Sequence, residues 1–157
     1  MVSGVEVQKT IERAAALGHD GTAIKATVYA YYQAVNESRW EDVVAFFHED
    51  AVLLIPGQEP KVGSDAILRF YSAHGTHFAE HHDDVPLLMT DGNRVMTLID
   101  FHGGDVRGNQ VHYWNGGVFT LDGNRFRQYR VIFDTAELPE WIRSKKGRRL
   151  ADETTSS

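Results

Sequence analysis

One short stretch of this chain is crowded with imidazoles and carboxylates: His74, His77, His81 and His82, then Asp83 and Asp84 at once. A neutral imidazole beside a carboxylate is a general base of suitable pKa, so the stretch has the makings of proton-transfer chemistry. His77 and His81 are also spaced i, i+4, which on a helix puts two metal ligands on one face, and Asp84 would extend the set. No Glu follows in an HExxH arrangement, and no metal or other cofactor is expected. Further along, Asp100 and His102 lie two apart in an apolar run. On a strand they would share a face and make a simple acid–base pair.

The 157 residues include eight His and no Cys. That excludes disulfides, thiolate nucleophiles, iron–sulfur clusters and Cys-ligated zinc. Imidazole is left as the side chain whose unperturbed pKa lies near neutrality.

The elements that must position these groups follow from periodicity. Apolar residues at helical spacing predict a helix over 22–37 (Ile24, Val28, Tyr31, Tyr32, Val35), with Thr22 as its cap. A short helix over 40–47 and a strand over 51–55 come next, the strand ended by Pro56-Gly57. Ser64 is expected to cap a third helix containing Ile67, Leu68, Phe70 and Tyr71. Strands are expected over 85–89, 94–102, 110–121 and 125–133, with hairpin turns at Asp91-Gly92 and Asp122-Gly123 and a longer turn from Gly103 to Gly108. Pro139 is expected to start a last helix. Helices first and strands later predict an α+β fold, with helices on one face of a curved antiparallel sheet.

Length predicts one domain. The expected division is an N-terminal, partly helical extension over 1–21, a domain over 22–142, and a basic, then disordered tail over 143–157. Sixteen Lys+Arg against 22 Asp+Glu give a net charge of −6, which argues against nucleic acid as a partner. The basic run Arg143, Lys145, Lys146, Arg148 and Arg149 reads as a solvated helix end. No apolar stretch suits a membrane span or a secretory signal, so no membrane partner and a cytoplasmic location are expected.

Three segments resemble the NTF2-like, SnoaL-like group of small cone-shaped α+β proteins. They are Tyr31 to Trp40 continuing through Val43 to Val52, then Gly63 to Ile67 with Phe70-Tyr71, then Phe119 to Asn124 with Tyr129 to Asp134. The group includes ketosteroid isomerases, scytalone dehydratase, limonene epoxide hydrolase and polyketide cyclases. The resemblance implies a curved sheet wrapped around the N-terminal helices (a cystatin-like α+β barrel) and a deep pocket between them. It does not carry one mechanism over, because the fold hosts many chemistries. Ile55, Asn36, Gly117 and Val131 stand where different members have a carboxylate.

What the resemblance leaves is a small set. Tyr31 matches a helix tyrosine that donates to an oxyanion, and His82 (or His81) matches a pocket histidine at the start of the first long strand. Asp100 and His102 complete the expected catalytic set. Alignment parity nevertheless turns their odd-numbered neighbours inward. Asn36, Tyr113, Asn115 and Tyr129 are expected to hold substrate. The expected function is cofactor-free cyclisation or isomerisation of a polyketide-like or terpenoid-like small apolar molecule by a homodimer. The alternatives are a dehydratase or epoxide hydrolase of the same fold, a ligand-binding dimer without catalysis, and a transport or assembly module.

Overall fold

The computed structural model describes residues 21–140, together with Lys9 and Ile142. The expected N-terminal extension, the basic run and nearly all of the last helix lie outside the described residues.

The chain runs α1 (Gly21–Asn36), α2 (Trp40–Ala45), β1 (Phe47–Leu54), β2 (Lys61–Val62), α3 (Ser64–His77), β3 (Glu80–Asp91), β4 (Arg94–Gly104), β5 (Gln110–Asp122) and β6 (Arg125–Ile132), ending in a 3-10 turn, Thr135–Glu137. The strands form one curved sheet in the order β2-β1-β6-β5-β4-β3, left open with β2 and β3 as its edges. All neighbours are antiparallel except β1 and β6, which run parallel. The α+β cone with helices laid into a curved sheet is thus the observed architecture.

Helix α1 carries the core. Ile24, Val28, Tyr31, Tyr32 and Val35 are all buried, so the apolar stripe that predicts the helix is the face it turns inward. Around Tyr31 the rings of Tyr32, Phe46, Phe47, Tyr71, Phe119, Phe126 and Tyr129 all lie edge-on, with centroids 5.0 to 6.4 Å away. Edge-to-face packing suits the ring quadrupole, so this arrangement is a favourable way to fill a cone with aromatics. Phe78, Phe101, Val111, Leu138 and Ile142, with Tyr113 and Phe133 against them, form a second cluster.

Several local expectations shift: the short helix ends at Ala45 rather than at 47, β1 starts at Phe47 rather than at 51, and β2 has no counterpart among the expected elements. Strand β3 starts at Glu80 rather than at 85, because its register with β4 continues through His82↔His102 and Glu80↔Gly104 where the hydrophobic alternation has already faded. Helix α3 begins at Ser64 itself, and the cap position is Gly63 at φ 84, a left-handed conformation that glycine adopts without strain. The two hairpins turn one residue later than expected, at Gly92-Asn93 and Gly123-Asn124, with only the glycines at positive φ (58 and 61). Glycine at the first central position is the pattern of the primed hairpin turns.

Candidate active site

Period-2 alternation sorts the strand residues between two faces. Along β4, Val95, Thr97, Ile99 and Phe101 are buried, while Arg94, Met96, Leu98 and His102 are exposed and Asp100 half-buried. The odd-numbered residues therefore face the helices. Register carries this across the sheet: Asp83 pairs with Phe101 and Phe101 with Tyr113, giving one inner row. His82, His102 and His112 make an outer row, and Asp84, Asp100 and Trp114 the next.

The expected catalytic set is divided by this parity. Tyr31 is inside and fully buried, its hydroxyl hydrogen-bonded to that of Tyr71. Asp100 and His102 lie on the outer face and do not look into the cone; their odd neighbours pack there instead. His82 is also an outer-face residue, with its Nε2 3.1 Å from Asp84 Oδ1, although it reaches the rim of a cleft described below. The inward neighbours on the same strand are His81 and Asp83.

Asp83 belongs to the polar stretch that opens β3 but not to the expected catalytic set. It is half-buried on β3, and its backbone is gripped from α1: the Asp83 N–H donates to Asn36 Oδ1 at 2.8 Å, and Asn36 Nδ2 donates to the Asp83 carbonyl at 3.0 Å. The amide of Asn36 thus replaces the missing neighbour of an edge strand. Burial pushes the Asp83 carboxyl up from 3.8 to about 7; a charge on His82 pulls the other way, and Asp84 adds to the rise. Its negative charge in turn helps raise Tyr113, Tyr32, Tyr71 and Tyr129, although burial is the first cause for each. Four neutral phenols therefore share the field of one carboxyl.

His81 comes next on the inner face. Its Nε2 sits 2.9 Å from Ser38 Oγ, its ring stacks on Trp40 at 5.6 Å, and its Nδ1 is buried with no hydrogen-bond partner. Burial lowers its pKa, with His82 adding to the effect, so the ring favours the neutral form. The suggested ligand set His77, His81 and Asp84 is not assembled: Asp84 is engaged by His82, and His81 by Ser38.

The expected binding residues take different parts. Tyr129 is buried against Phe119 with ring centroids 4.0 Å apart, and its hydroxyl lies 3.2 Å from that of Tyr32, which also meets Thr97 Oγ1 at 2.9 Å. Gly117 makes room for this: a Cβ there would stand 2.6 Å from Tyr129 Cε2. Tyr113 and Asn115 are half-buried on the inner face, with Tyr113 between Phe101 and Phe133. Asn36 is the clamp on Asp83.

Space for a ligand lies beside this constellation. A cleft of about 480 Å³ between α1 and β3 is lined by Tyr29, Tyr32, Asn36, Asp83 and Val85, with His82 and Asp84 at its edge. A second cavity, about 420 Å³, opens between the end of β1 and the end of β6, lined by Ile55, Pro56, Val131 and Phe133. Both lie in the size range of small-molecule sites. A third feature lies apart from both. Among the described residues, one trio of metal-ligand side chains converges, Asp100, His102 and His112, on the outer face.

The comparisons with known proteins agree with this architecture. No curated protein sequence matches the chain. Among solved structures, the epoxide hydrolase/cyclase-like enzyme SalBIII, which acts in pyran ring formation in the polyether salinomycin, aligns over 76% of this chain and 96% of its own at 23% identity, with TM-score 0.69. A putative polyketide cyclase from Xanthomonas campestris pv. campestris aligns over 76% and 93% at 21% identity, TM-score 0.68. An NTF2-like protein of unknown function from Burkholderia pseudomallei aligns over 73% and 92% at 23% identity, TM-score 0.68. At these identities the likeness is one of fold. A profile of the SnoaL-like domain matches residues 28–129, from the middle of α1 to the last inward tyrosine, and the chain belongs to that family.

Proposed function

We propose that this chain is an acid–base enzyme acting on a small, largely apolar organic molecule, with Asp83 as the group that carries the proton. The observation behind this reading is the setting of Asp83: an inward carboxyl at an edge strand, held through its backbone by Asn36, lining a cleft, and close to neutral phenols. A carboxyl held near the pH of its surroundings serves as base and as acid within one turnover. As base it would take a proton from carbon or from water. As acid it would give that proton to an oxygen of the ring or leaving group. Tyr32, which lines the same cleft and is kept neutral chiefly by burial, would donate to the developing oxyanion.

Cyclisation or isomerisation of a polyketide-like or terpenoid-like substrate is the chemistry this favours, and epoxide opening needs the same acid. Membership of the SnoaL-like family and the likeness to SalBIII support the class. We place the contact between two copies at the hairpin end of the outer sheet face, where Leu87, Met89 and Met96 are exposed away from Asp100, His102 and His112; sedimentation velocity would return twice the chain mass.

A second reading rests on the tight ring packing of the cone. With Tyr31 paired to Tyr71 and Tyr32 to Tyr129, the phenols satisfy one another, as a binding module without turnover would have them. One experiment separates the two. The protein is incubated in deuterium oxide with a cycloalkene epoxide and an aryl β-diketone, and mass spectrometry follows ring opening and deuterium incorporation. Accelerated conversion that Asp83→Asn reduces by about 100-fold or more supports the enzyme. Acceleration equal in wild type and Asp83→Asn contradicts the role of Asp83.

A further inference from the structure

The outer face of β4 and β5 carries an arrangement that the cleft chemistry does not use. His102 and His112 are directly opposed cross-strand partners, and Asp100 precedes His102 by two residues on the same face. The two imidazoles lie parallel, with centroids 4.2 Å apart and planes 10° from parallel. Both Nε2 atoms point at the same carboxylate oxygen: His112 Nε2 is 2.5 Å from Asp100 Oδ1, and His102 Nε2 is 3.4 Å from it. One ligand atom from each of the three residues falls within 4.8 Å of the other two.

From this convergence we infer that Asp100, His102 and His112 form a binding site for a divalent transition-metal ion of the zinc class. Tetrahedral coordination at about 2.1 Å sets donor atoms about 3.4 Å apart; the His102–Asp100 spacing is 3.4 Å and the His112–Asp100 spacing 2.5 Å, so a small outward rotation of His112 would seat an ion. Two imidazoles and one carboxylate are borderline-to-hard donors, which suits zinc, nickel or copper rather than calcium or magnesium. Without an ion, hydrogen bonds from the two imidazoles to Asp100 Oδ1 hold the trio together. If both were protonated they would repel at 4.2 Å, whereas a shared cation draws two neutral rings together.

The scaffold is suited to the task. All three ligands stand on adjacent strands of a regular antiparallel ladder, so their spacing is set by register rather than by a loop. Three protein ligands leave a coordination position open to solvent. Both His102 and His112 are more than half exposed, which gives an ion free access.

The test is isothermal titration of the untagged, chelator-stripped protein with Zn²⁺, repeated for His102→Ala, His112→Ala, Asp100→Asn and, as a control from the other histidine cluster, His77→Ala. Co²⁺ replaces Zn²⁺ in a parallel experiment in which visible absorption reports nitrogen coordination. One equivalent of Zn²⁺ per chain is expected. Affinity should fall by on the order of 10–100-fold or more in each imidazole variant, since losing even an outer-shell partner costs that much. It should be unchanged in His77→Ala. Circular dichroism checks that each exposed substitution leaves the fold intact. Undiminished binding in both His102→Ala and His112→Ala, or no binding tighter than millimolar in the wild type, overturns the inference.

Discussion

Asp83 and Asp100 stand on neighbouring antiparallel strands, yet they face opposite sides of one sheet and behave in opposite ways. Asp83 turns toward the helices, and burial lifts its carboxyl to about 7. Asp100 turns outward. Its partial burial also works upward, but hydrogen bonds from His112 and then His102 outweigh this and hold it below the usual carboxylate value. The residue type is the same in both cases. The difference comes from a single step of strand parity, which exchanges a ring-lined interior for two imidazoles in water. Half-buried on the inner face and lifted by burial, the first carboxyl would serve as the proposed proton carrier. Its counterpart on the outer face, half-buried between two imidazoles, would stay an anion in the role proposed for it as a metal ligand.

The strongest way to break that contrast is through activity. Asp83→Asn keeps the shape but cannot carry a proton, and it is expected to lower turnover of any substrate found by about 10²- to 10⁴-fold, while Asp100→Asn leaves turnover within about twofold. Steady-state kinetics on both variants decides it, and comparable losses would dissolve the distinction between the faces.

Stability should respond with opposite signs. Asp83 has a folded pKa raised above its unfolded value, so its contribution is fully present below pH about 4 and is lost as pH rises through about 7. Asp83→Asn removes that penalty. The variant should be more stable than wild type at pH 8, by up to about 4 kcal/mol before discounting for partial exposure, and little different at pH 4. Asp100 is depressed, so its contribution is present above its unfolded value and fades as pH falls. In chelator, Asp100→Asn should therefore lower Tm slightly near neutrality and not in acid. Urea melts across that range measure both signs.

Smaller effects test the inner packing and the clamp. Gly117→Ala pushes a methyl group against Tyr129 and Thr97 Oγ1, and should cost about 1–3 kcal/mol in chemical denaturation by overpacking. Asn36→Ala releases the backbone of Asp83 and should cost about 1 kcal/mol. It should also lower kcat more than it raises KM, because it loosens the position of the acid rather than the binding surface.

The order of elements and the helix stripe are legible in the sequence because helical periodicity is strong; the inward parity of the odd residues on β4 comes from the family resemblance, since Met96 and Leu98 make the other face apolar too. The first half of β3 is not. From Glu80 to Asp84 every residue is polar, so periodicity says nothing, and pairing with β4 decides where each side chain points. That silence explains why attention falls on His82 rather than on its neighbour Asp83. A family likeness locates the strand to within about one residue, and one residue is the whole difference between the two faces. The one available signal is Asn36. An amide at the end of an apolar helix needs a partner, and the backbone of an edge strand supplies it. The metal trio is half legible: Asp100 and His102 share a face by spacing, but His112 joins them only through register.

The ionisation of Asp83 sets the proposed chemistry of the cleft. Carboxyl-¹³C NMR of aspartate-labelled protein, assigned with Asp83→Asn and titrated from pH 3 to 9, measures it directly. A midpoint near 7 for Asp83, with Asp100 titrating below the usual carboxylate range, is the expected result; an Asp83 midpoint near 4 would contradict the claim that the inner face makes this carboxyl a proton carrier.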